Sequence, residues 1–207
     1  MTPEVFAAVN QPSVYRKAEC AWFCRKQDGR FDLSNTAGGM EVYWPMQKTK
    51  ENFWRSSEQL FQASKYGSEV MCLPAMSPEA DPCVRKRIRA QVSPLNAKAT
   101  QKCAVKAGLV RPDWDDPEQE VRIKAMLWVL ELKLYWNPFK FAAALRDTTE
   151  LPIVEISRKD TFWGCKETPD GELRGSNVLG KLLMEVRSRL DSVKRGEFSF
   201  SEGFLLP

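Results

Sequence analysis

The segment from about 117 to 136 carries the strongest periodic pattern of hydrophobic residues in the chain. Apolar side chains recur there every three to four positions, which aligns them along one side of an α-helix at about 100° per residue. A second apolar stripe lies beside the first, so we expect this segment to form the core helix. The two stripes consist of Val121, Ala125, Trp128 and Leu132, and of Ile123, Leu127, Leu130 and Leu134.

Charged residues in this helix divide into an exposed set and one exception. Glu120, Lys124 and Glu131 fall on the side predicted to face water. Lys133 projects almost opposite, among apolar neighbours, where an amine costs free energy unless it is paired or functional. The alternative is that its long side chain reaches solvent near the helix end.

Shorter patterns predict further helices and a few strands. Ser56, followed three residues later by Gln59, resembles a capping box and predicts a helix that runs to about 67. The pattern as a whole favours an α+β fold that is mainly α with a small β element. Other helices are predicted over 85–91, 96–107, 139–145 and from 178 onward, and strands over 41–44, 52–54 and 151–156, with 72–82 as a connection.

Composition limits the class of protein. The 207 residues are 43% hydrophobic, enough for one well-buried domain, and the net charge of +4 permits a nucleic-acid partner without indicating one. No apolar run approaches a membrane span and the N-terminus lacks the signal-peptide pattern, so we expect a soluble, cytoplasmic protein. Six cysteines without a regular spacing are expected to be reduced.

The chain contains no histidine. This excludes Ser-His-Asp and Cys-His catalysis, Cys/His zinc fingers and imidazole proton transfer. Acid–base chemistry therefore falls to Asp, Glu, Lys, Tyr or water. We expect no metal and no cofactor, because Asp113, Asp115 and Asp116 lack the glycine and glutamate of a calcium loop, and no phosphate-binding or dinucleotide-binding glycine motif is present.

The most informative local feature is Asp160 beside Trp163 and Gly164, followed by the 175–180 segment that opens a helix. Backbone N–H groups at a helix start bind anions. A carboxylate, a flat ring and a helix start together suggest a phosphate-bearing ligand with chemistry beside it. The alternative interpretation is structural, with Asp160 capping a turn and Trp163 in the core.

Other carboxylates and lysines supply further candidate chemistry. Glu58 and Lys65 share one face of the helix predicted to start at 56. Carboxylates activate water or stabilise an oxocarbenium-like centre in glycoside hydrolysis, whereas a desolvated lysine such as Lys133 could attack an anomeric carbon and form a Schiff base. Glu58 and Lys65 could instead form a solvated pair, and Trp114 could be a stacking platform or a loop anchor.

Taken together, these segments resemble the NADAR family, also called the YbiA-like family. The match extends over about residues 22–191, with the pieces in the family's order and spacing. These pieces are 29–35, 57–66, 92–94, 111–114, 132–134, 138–141, 160–164 and 175–187.

The resemblance implies a compact, single-domain YbiA-like helical fold with a pocket for ADP-ribose-like ligands, and hydrolysis of N-glycosidic bonds. Family members associated with DarT toxins remove ADP-ribose from guanine bases in nucleic acid, and YbiA-like members cleave N-glycosides of early riboflavin intermediates. Arg25-Lys26 and 111–114 look more like the toxin-associated branch. We therefore expect removal of ADP-ribose from ADP-ribosylated guanine in DNA or RNA, with ADP-ribose as product and a DarT-type toxin as partner.

The resemblance also implies roles for individual residues. Glu58, Lys65, Lys133 and Asp160 occupy positions that match the family's catalytic residues and recurrent lysines, and they are the candidate catalytic residues. The candidate substrate-binding residues are Arg25, Ser34, Asn35, Trp114, Trp163, Gly164 and Asn177.

Two positions depart from the family pattern, and three other functions stay open. Gln59 stands where a histidine is common, and Thr36 where an apolar residue often follows Ser-Asn. The other functions are an ADP-ribose-binding module without activity, an N-glycosidase of riboflavin intermediates, and an antitoxin that acts by direct contact. We expect a monomer with an N-terminal arm over 1–21, a catalytic domain over 22–193 and a C-terminal tail over 194–207.

Overall fold

The computed structural model describes residues 8–24, 29–67, 83–191 and 200. These residues fall into two units, one formed by those up to 37 and from 137 onward, the other by those from 38 to 136. Within the described ranges, no helix is long and apolar enough to cross a membrane.

The described part of the chain contains short strands, seven α-helices and two 3₁₀-helices, Lys17–Glu19 and Phe31–Leu33. The strands are β1 (Ser13–Arg16), β2 (Ala21–Phe23), β3 (Val42–Tyr43), β4 (Phe53–Trp54), β5 (Ile153–Glu155), β6 (Lys166–Glu167) and β7 (Glu172–Gly175). The helices are α1 (Ser57–Ala63), α2 (Val84–Ala90), α3 (Pro94–Thr100), α4 (Lys102–Lys106), α5 (Val121–Trp136), α6 (Lys140–Arg146) and α7 (Val178–Ser188).

The first unit is built on two small sheets. Strand β2 pairs in parallel with β5, while β7 pairs in antiparallel fashion with both β1 and β6. Helix α7 packs on β5 and α6 packs on α7. Three partly buried side chains, Tyr15, Trp22 and Ile156, pack against a small apolar cluster. The cluster consists of Cys20, Val154, Cys165 and Leu173.

The second unit is a helical assembly with one hairpin. Strands β3 and β4 pair in antiparallel fashion, and β3 packs on α5. Helix α1 packs against α2, α3 and α5, so it lies at the centre of this unit. The edge of Trp44 meets the ring of Trp128 from α5 at a centroid distance of 4.9 Å.

The predicted α+β class is confirmed, and most predicted helices are found near their expected positions. Helix α1 starts where its cap predicts but ends at Ala63 rather than near 67. The helix predicted over 96–107 is instead two short helices that meet at Gln101. The connection predicted over 72–82 lies outside the described residues.

No sequence pattern predicts the sheet of β1, β6 and β7. Its strands are only two to four residues long, too short for a pattern of alternating apolar and polar residues to be recognised in the sequence. Strand β1 lies within the segment predicted as an N-terminal arm, where Tyr15 pairs in register with Leu173 of β7.

Helix α5 is buried on nearly all sides between Ala125 and Leu134. The prediction that Glu131 faces water is wrong, because this residue exposes no surface. Lys133 is also completely buried, which excludes the interpretation that its side chain reaches solvent. Both residues interact with other groups of the protein, and a charge buried alone would cost free energy.

Helix α7 approaches β5 so closely that Gly180 has no room for a side chain. A Cβ atom at this position would overlap the carbonyl oxygen of Ile153. Asn177, just before the helix, joins the same two elements: its Nδ2 donates to the Ile153 carbonyl at 2.8 Å, and its Oδ1 accepts the N–H of Glu155 at 3.2 Å. Asn177 has a φ of 51°, a left-handed conformation that asparagine tolerates better than most residues.

We expect Gly180→Ala to lower the free energy of unfolding by about 1–3 kcal/mol, the usual cost of overpacking a close contact. Gly38→Ala is the matched control, because a Cβ atom there meets nothing within 4 Å. Its effect is expected to stay within about 0.5 kcal/mol. Urea unfolding followed by circular dichroism measures both variants, and equal stabilities would contradict the close approach of α7 to β5.

Candidate active site

A network of side-chain hydrogen bonds positions Glu58 at the start of α1. Ser56 Oγ accepts the N–H of Gln59 at 3.3 Å, and Gln59 Oε1 accepts the N–H of Arg55 at 2.8 Å. The Gln59 amide nitrogen donates to the carbonyl oxygen of Gln91 at 2.5 Å. The predicted cap at Ser56 is therefore present. The Gln59 side chain, which in a capping box would accept the N–H of the cap residue, accepts the N–H of Arg55 instead. Glu58 lies in the first turn, and only 5% of its side chain is exposed.

One oxygen of the Glu58 carboxylate has two donors. Its Oε1 accepts a hydrogen bond from Gln62 Nε2 at 2.6 Å and lies 3.3 Å from Nζ of Lys98, whose side chain is half exposed. The amide oxygen of Gln62 is buried and has no hydrogen-bond partner among the described residues. Such an atom costs about 1–3 kcal/mol unless a water or ligand donor reaches it. The Glu58–Gln62 pair can therefore accept a further donor.

Lys65 lies just beyond the end of α1, beside two aromatic rings. Its Nζ is 5.8 Å from the ring centroid of Phe61 and 5.8 Å from that of Trp114. Burial lowers the pKa of Lys65 to about 8, and the attraction of Glu58 opposes this shift. A substantial part of this amine is therefore unprotonated in mildly alkaline solution, which a nucleophilic amine requires.

Trp114 forms an aromatic wall with Phe61, at a centroid distance of 5.5 Å and an interplanar angle of 50°. Arg111 fixes the loop that carries it: its N–H donates to the carbonyl oxygen of Lys65 at 2.9 Å. The Arg111 guanidinium donates to both carboxylate oxygens of Asp113, at 2.6 and 2.8 Å, which lowers the pKa of Asp113. Trp114 is thus a buried loop anchor whose ring also lies beside the Lys65 amine.

Asp160 closes a tight turn in the first unit. Its Oδ1 accepts the N–H groups of Phe162 at 2.8 Å and Trp163 at 3.0 Å, while its own N–H donates to Ser157 Oγ at 3.1 Å. Asp160 therefore caps a turn, as the structural interpretation expects. A catalytic role for Asp160 stays a prediction. Trp163 is partly exposed and meets the ring of Phe162 edge-on.

The start of α7 does not offer the N–H groups that were expected to bind phosphate. The N–H of Val178 donates to the carbonyl oxygen of Phe162 at 3.0 Å, and that of Leu179 donates to the carbonyl oxygen of Trp163 at 3.0 Å. The prediction of a phosphate site at these two amides is wrong, because the turn closed by Asp160 already occupies them.

The remaining predicted substrate-binding residues are buried where the structure describes them. Gly164 lies so close to strand β5 that a Cβ atom would meet a backbone carbonyl, and the Asn177 side chain is fully engaged with the same strand. Ser34 and Asn35 are 6% and 3% exposed. Arg25 lies outside the described residues. Contact of these residues with substrate stays a prediction.

The second unit therefore brings together Glu58, Lys65 and Trp114 around α1. Helix α1 also packs against α5, which carries Lys133. No sequence pattern predicts Lys98, the ion-pair partner of Glu58. Its position in α3 has no distinguishing local pattern, and only the packing of α3 on α1 brings it to the carboxylate.

A cavity of about 480 Å³ lies in the first unit, where the carboxyl ends of β2 and β5 meet. Trp22, Lys17 and Ser157 line it, and Ser157 also holds the backbone of Asp160. No residue predicted for the site is among its described lining residues. In the described part of the chain, no group of three or more acidic, cysteine or histidine residues could hold a metal ion.

Comparison with known proteins identifies relatives across most of the chain. The sequence model of the NADAR domain matches residues 15–191. The N-glycosidase YbiA of Escherichia coli K12 is 29% identical over 168 residues, which cover 81% of this chain and 86% of YbiA. The N-glycosidase Npun_R5314 of Nostoc punctiforme is 28% identical over 142 residues, which cover 68% of this chain and 77% of that protein.

Two further comparisons concern a plant protein and a solved structure. The chloroplastic riboflavin biosynthesis protein PYRR of Arabidopsis thaliana is 39% identical over 114 residues, which cover 54% of this chain and 17% of PYRR. The NMR structure of E. coli YbiA superimposes with a TM-score of 0.55 at 24% identity and covers 89% of this chain and 92% of YbiA. This likeness shows that the chain has the YbiA-like fold.

We expect Lys65 to lose its proton near pH 8, because burial lowers its pKa to about that value. Reductive methylation with ¹³C-formaldehyde followed by NMR measures the titration, and the resonance missing from Lys65→Arg identifies Lys65. Glu58→Gln should lower the midpoint further, because it removes the attraction that favours the ammonium form. A wild-type midpoint above about 10, the range of an ordinary lysine, would contradict the burial of this amine.

Proposed function

We propose that this chain, which belongs to the NADAR family, is an N-glycosidase. Two relatives named N-glycosidase support the proposal, since each aligns with two thirds or more of the chain. The observation that carries it is the buried Glu58 carboxylate near the Lys65 amine, whose pKa burial lowers to about 8. A carboxylate and an uncharged amine together can break a bond at an anomeric carbon.

In the proposed reaction, the Lys65 nitrogen attacks the anomeric carbon of a ribosyl N-glycoside. The bond from that carbon to the base nitrogen breaks, and the base leaves with a proton passed through Glu58. Opening of the ribose ring then gives an imine between Lys65 and the sugar. Water hydrolyses the imine, which restores the amine and releases the ribose product.

A carboxylate-and-water route is the alternative for the same site. Glu58 would then accept a proton from a water molecule that attacks the anomeric carbon directly. The amide oxygen of Gln62, which has no hydrogen-bond partner among the described residues, would accept a hydrogen bond from this water in that route. Lys65 would bind a phosphate or a ribose hydroxyl in this route.

ADP-ribosylated guanine in nucleic acid is the proposed substrate, and free ADP-ribose the product. Lys98 lies beside Glu58 with a half-exposed side chain that suits a phosphate, and the ring of Trp114 lies beside the Lys65 amine. An antitoxin role against a DarT-type ADP-ribosyltransferase rests on the resemblance of Arg25-Lys26 and 111–114 to the toxin-associated branch.

An early riboflavin intermediate is the second candidate substrate. The observation that favours it is the 39% identity over 114 residues to a protein named for riboflavin biosynthesis. Both candidates present the same bond, a ribose carbon joined to nitrogen, so one site could cleave either. Parallel assays with ADP-ribosylated DNA and with a ribosylated riboflavin intermediate decide between them, because the preferred substrate releases its sugar faster.

We expect Glu58→Gln to bind ADP-ribose normally but to release sugar at least about a hundredfold more slowly, the usual scale for a lost acid–base group. Glutamine keeps the size of the side chain but cannot take up the proton. Chromatographic detection of the released sugar measures turnover, and calorimetry measures binding. The exposed Glu118→Gln is the control. Near-normal turnover in Glu58→Gln would move the acid–base role to Asp160 or to water.

Borohydride added during turnover is expected to trap a covalent adduct on Lys65, because reduction makes the imine permanent. Mass spectrometry of peptides locates the adduct, and Lys65→Arg should abolish it, since arginine keeps the charge but cannot form the imine. An adduct on Lys133 would show that this lysine of α5, and not Lys65, attacks the anomeric carbon. Full activity in both Lys65→Arg and Lys133→Arg, without any adduct, would leave the carboxylate-and-water route.

A further inference from the structure

Four aromatic rings form a continuous row on the β3–β4 hairpin and the end of α5. The centroid of Tyr43 lies 5.7 Å from that of Phe53 and 5.0 Å from that of Trp136, and Trp136 lies 5.1 Å from Tyr135. Tyr135 is 47% exposed, and the other three rings are partly exposed. We call Phe53, Tyr43, Trp136 and Tyr135 the ring row.

Exposed cations accompany the ring row. Nζ of Lys48 lies 5.8 Å from the ring centroid of Tyr43, and the guanidinium carbon of Arg55 lies 5.6 Å from that of Phe53. Lys50, in the turn between the strands, is also exposed. Positive charges therefore lie over two of the four rings and remain in contact with water.

The ring row is rigidly joined to the helix that carries Glu58. Tyr43 and Phe53 are cross-strand partners, so they share one face of the hairpin. The Trp136 indole donates to the carbonyl oxygen of Tyr43 at 3.0 Å. The residue after β4, Arg55, has its N–H bound by Gln59 in the first turn of α1.

We propose that the ring row and its cations bind a segment of single-stranded nucleic acid. Bases would stack on the exposed ring faces, and the phosphates between them would lie beside Lys48 and Arg55, the combination by which proteins hold single strands without reading their sequence. The proposal deepens the proposed function, since it names the nucleic-acid strand around a modified base as the larger substrate. A small riboflavin intermediate would need no such surface.

The test measures binding of an unmodified, fluorescein-labelled ten-nucleotide thymidine strand by fluorescence anisotropy, between about 50 and 200 mM salt. Tyr135→Ala should weaken binding about fivefold or more, the scale of one lost stacking contact. Lys48→Gln with Arg55→Gln should reduce the slope of log affinity against log salt by about 1.4, since each phosphate contact contributes about 0.7 for single strands.

Matched controls are Val105→Ala, an exposed apolar side chain of α4, and the double variant Lys102→Gln with Lys106→Gln, which removes the same charge from that helix. Both should bind the strand as the wild type does. Circular dichroism confirms that each variant is folded. Equal weakening by the control variants would overturn the proposal, because it would show binding by net charge alone.

Two further outcomes separate this proposal from the proposed function. The proposed strand-binding surface would be overturned if thymidine monophosphate competed as well as the strand does. It would also be overturned if the wild type did not bind the strand at about 50 mM salt. Either result would count even if the protein had glycosidase activity. Binding that depends on the ring row, in a protein that cleaves no N-glycoside, would support the surface and contradict the proposed enzyme. Release of sugar from a small ribosyl substrate should be unchanged in Tyr135→Ala.

Discussion

The arrangement of the candidate active site depends on the side chain of Gln59. Its amide oxygen accepts a bond from Arg55 at the end of the hairpin, and its amide nitrogen donates to Gln91 at the end of α2. One buried amide therefore joins three elements and sets the direction of α1. Glutamine makes both bonds with a side chain that does not titrate.

Features that arise from contacts close in sequence could be predicted. The capping residue Ser56, helix α7 and strands β3 and β4 all follow from patterns at neighbouring positions, and the structure contains each of them. Glu58 and Lys65 could be placed on one side of the same helical segment for the same reason. The chemistry suggested for them rests on the resemblance to the family, since spacing alone also allowed a solvated pair.

Features that arise from packing between distant segments could not be predicted. Glu131 falls on the polar side of a helical wheel, yet neighbouring elements cover that side of α5. The pairing of Lys98 with Glu58 depends on how α3 lies against α1. The amides at the start of α7 looked available because the sequence does not show that the carbonyl groups of 162 and 163 turn back onto them.

The burial of α5 on nearly every side also constrains how the chain acquires its structure. A helix whose sides are nearly all covered by its neighbours is marginal in water on its own, because its isolated state would expose the apolar side chains that the neighbours cover. Glu131 and Lys133 would lose their internal partners in that state as well. The helix and the segments that cover it are therefore expected to become ordered in one cooperative step. A nascent chain that lacks those segments would expose the apolar side chains of α5 to water. Chaperones and proteases act on such exposed apolar surface before the chain can reach its active structure.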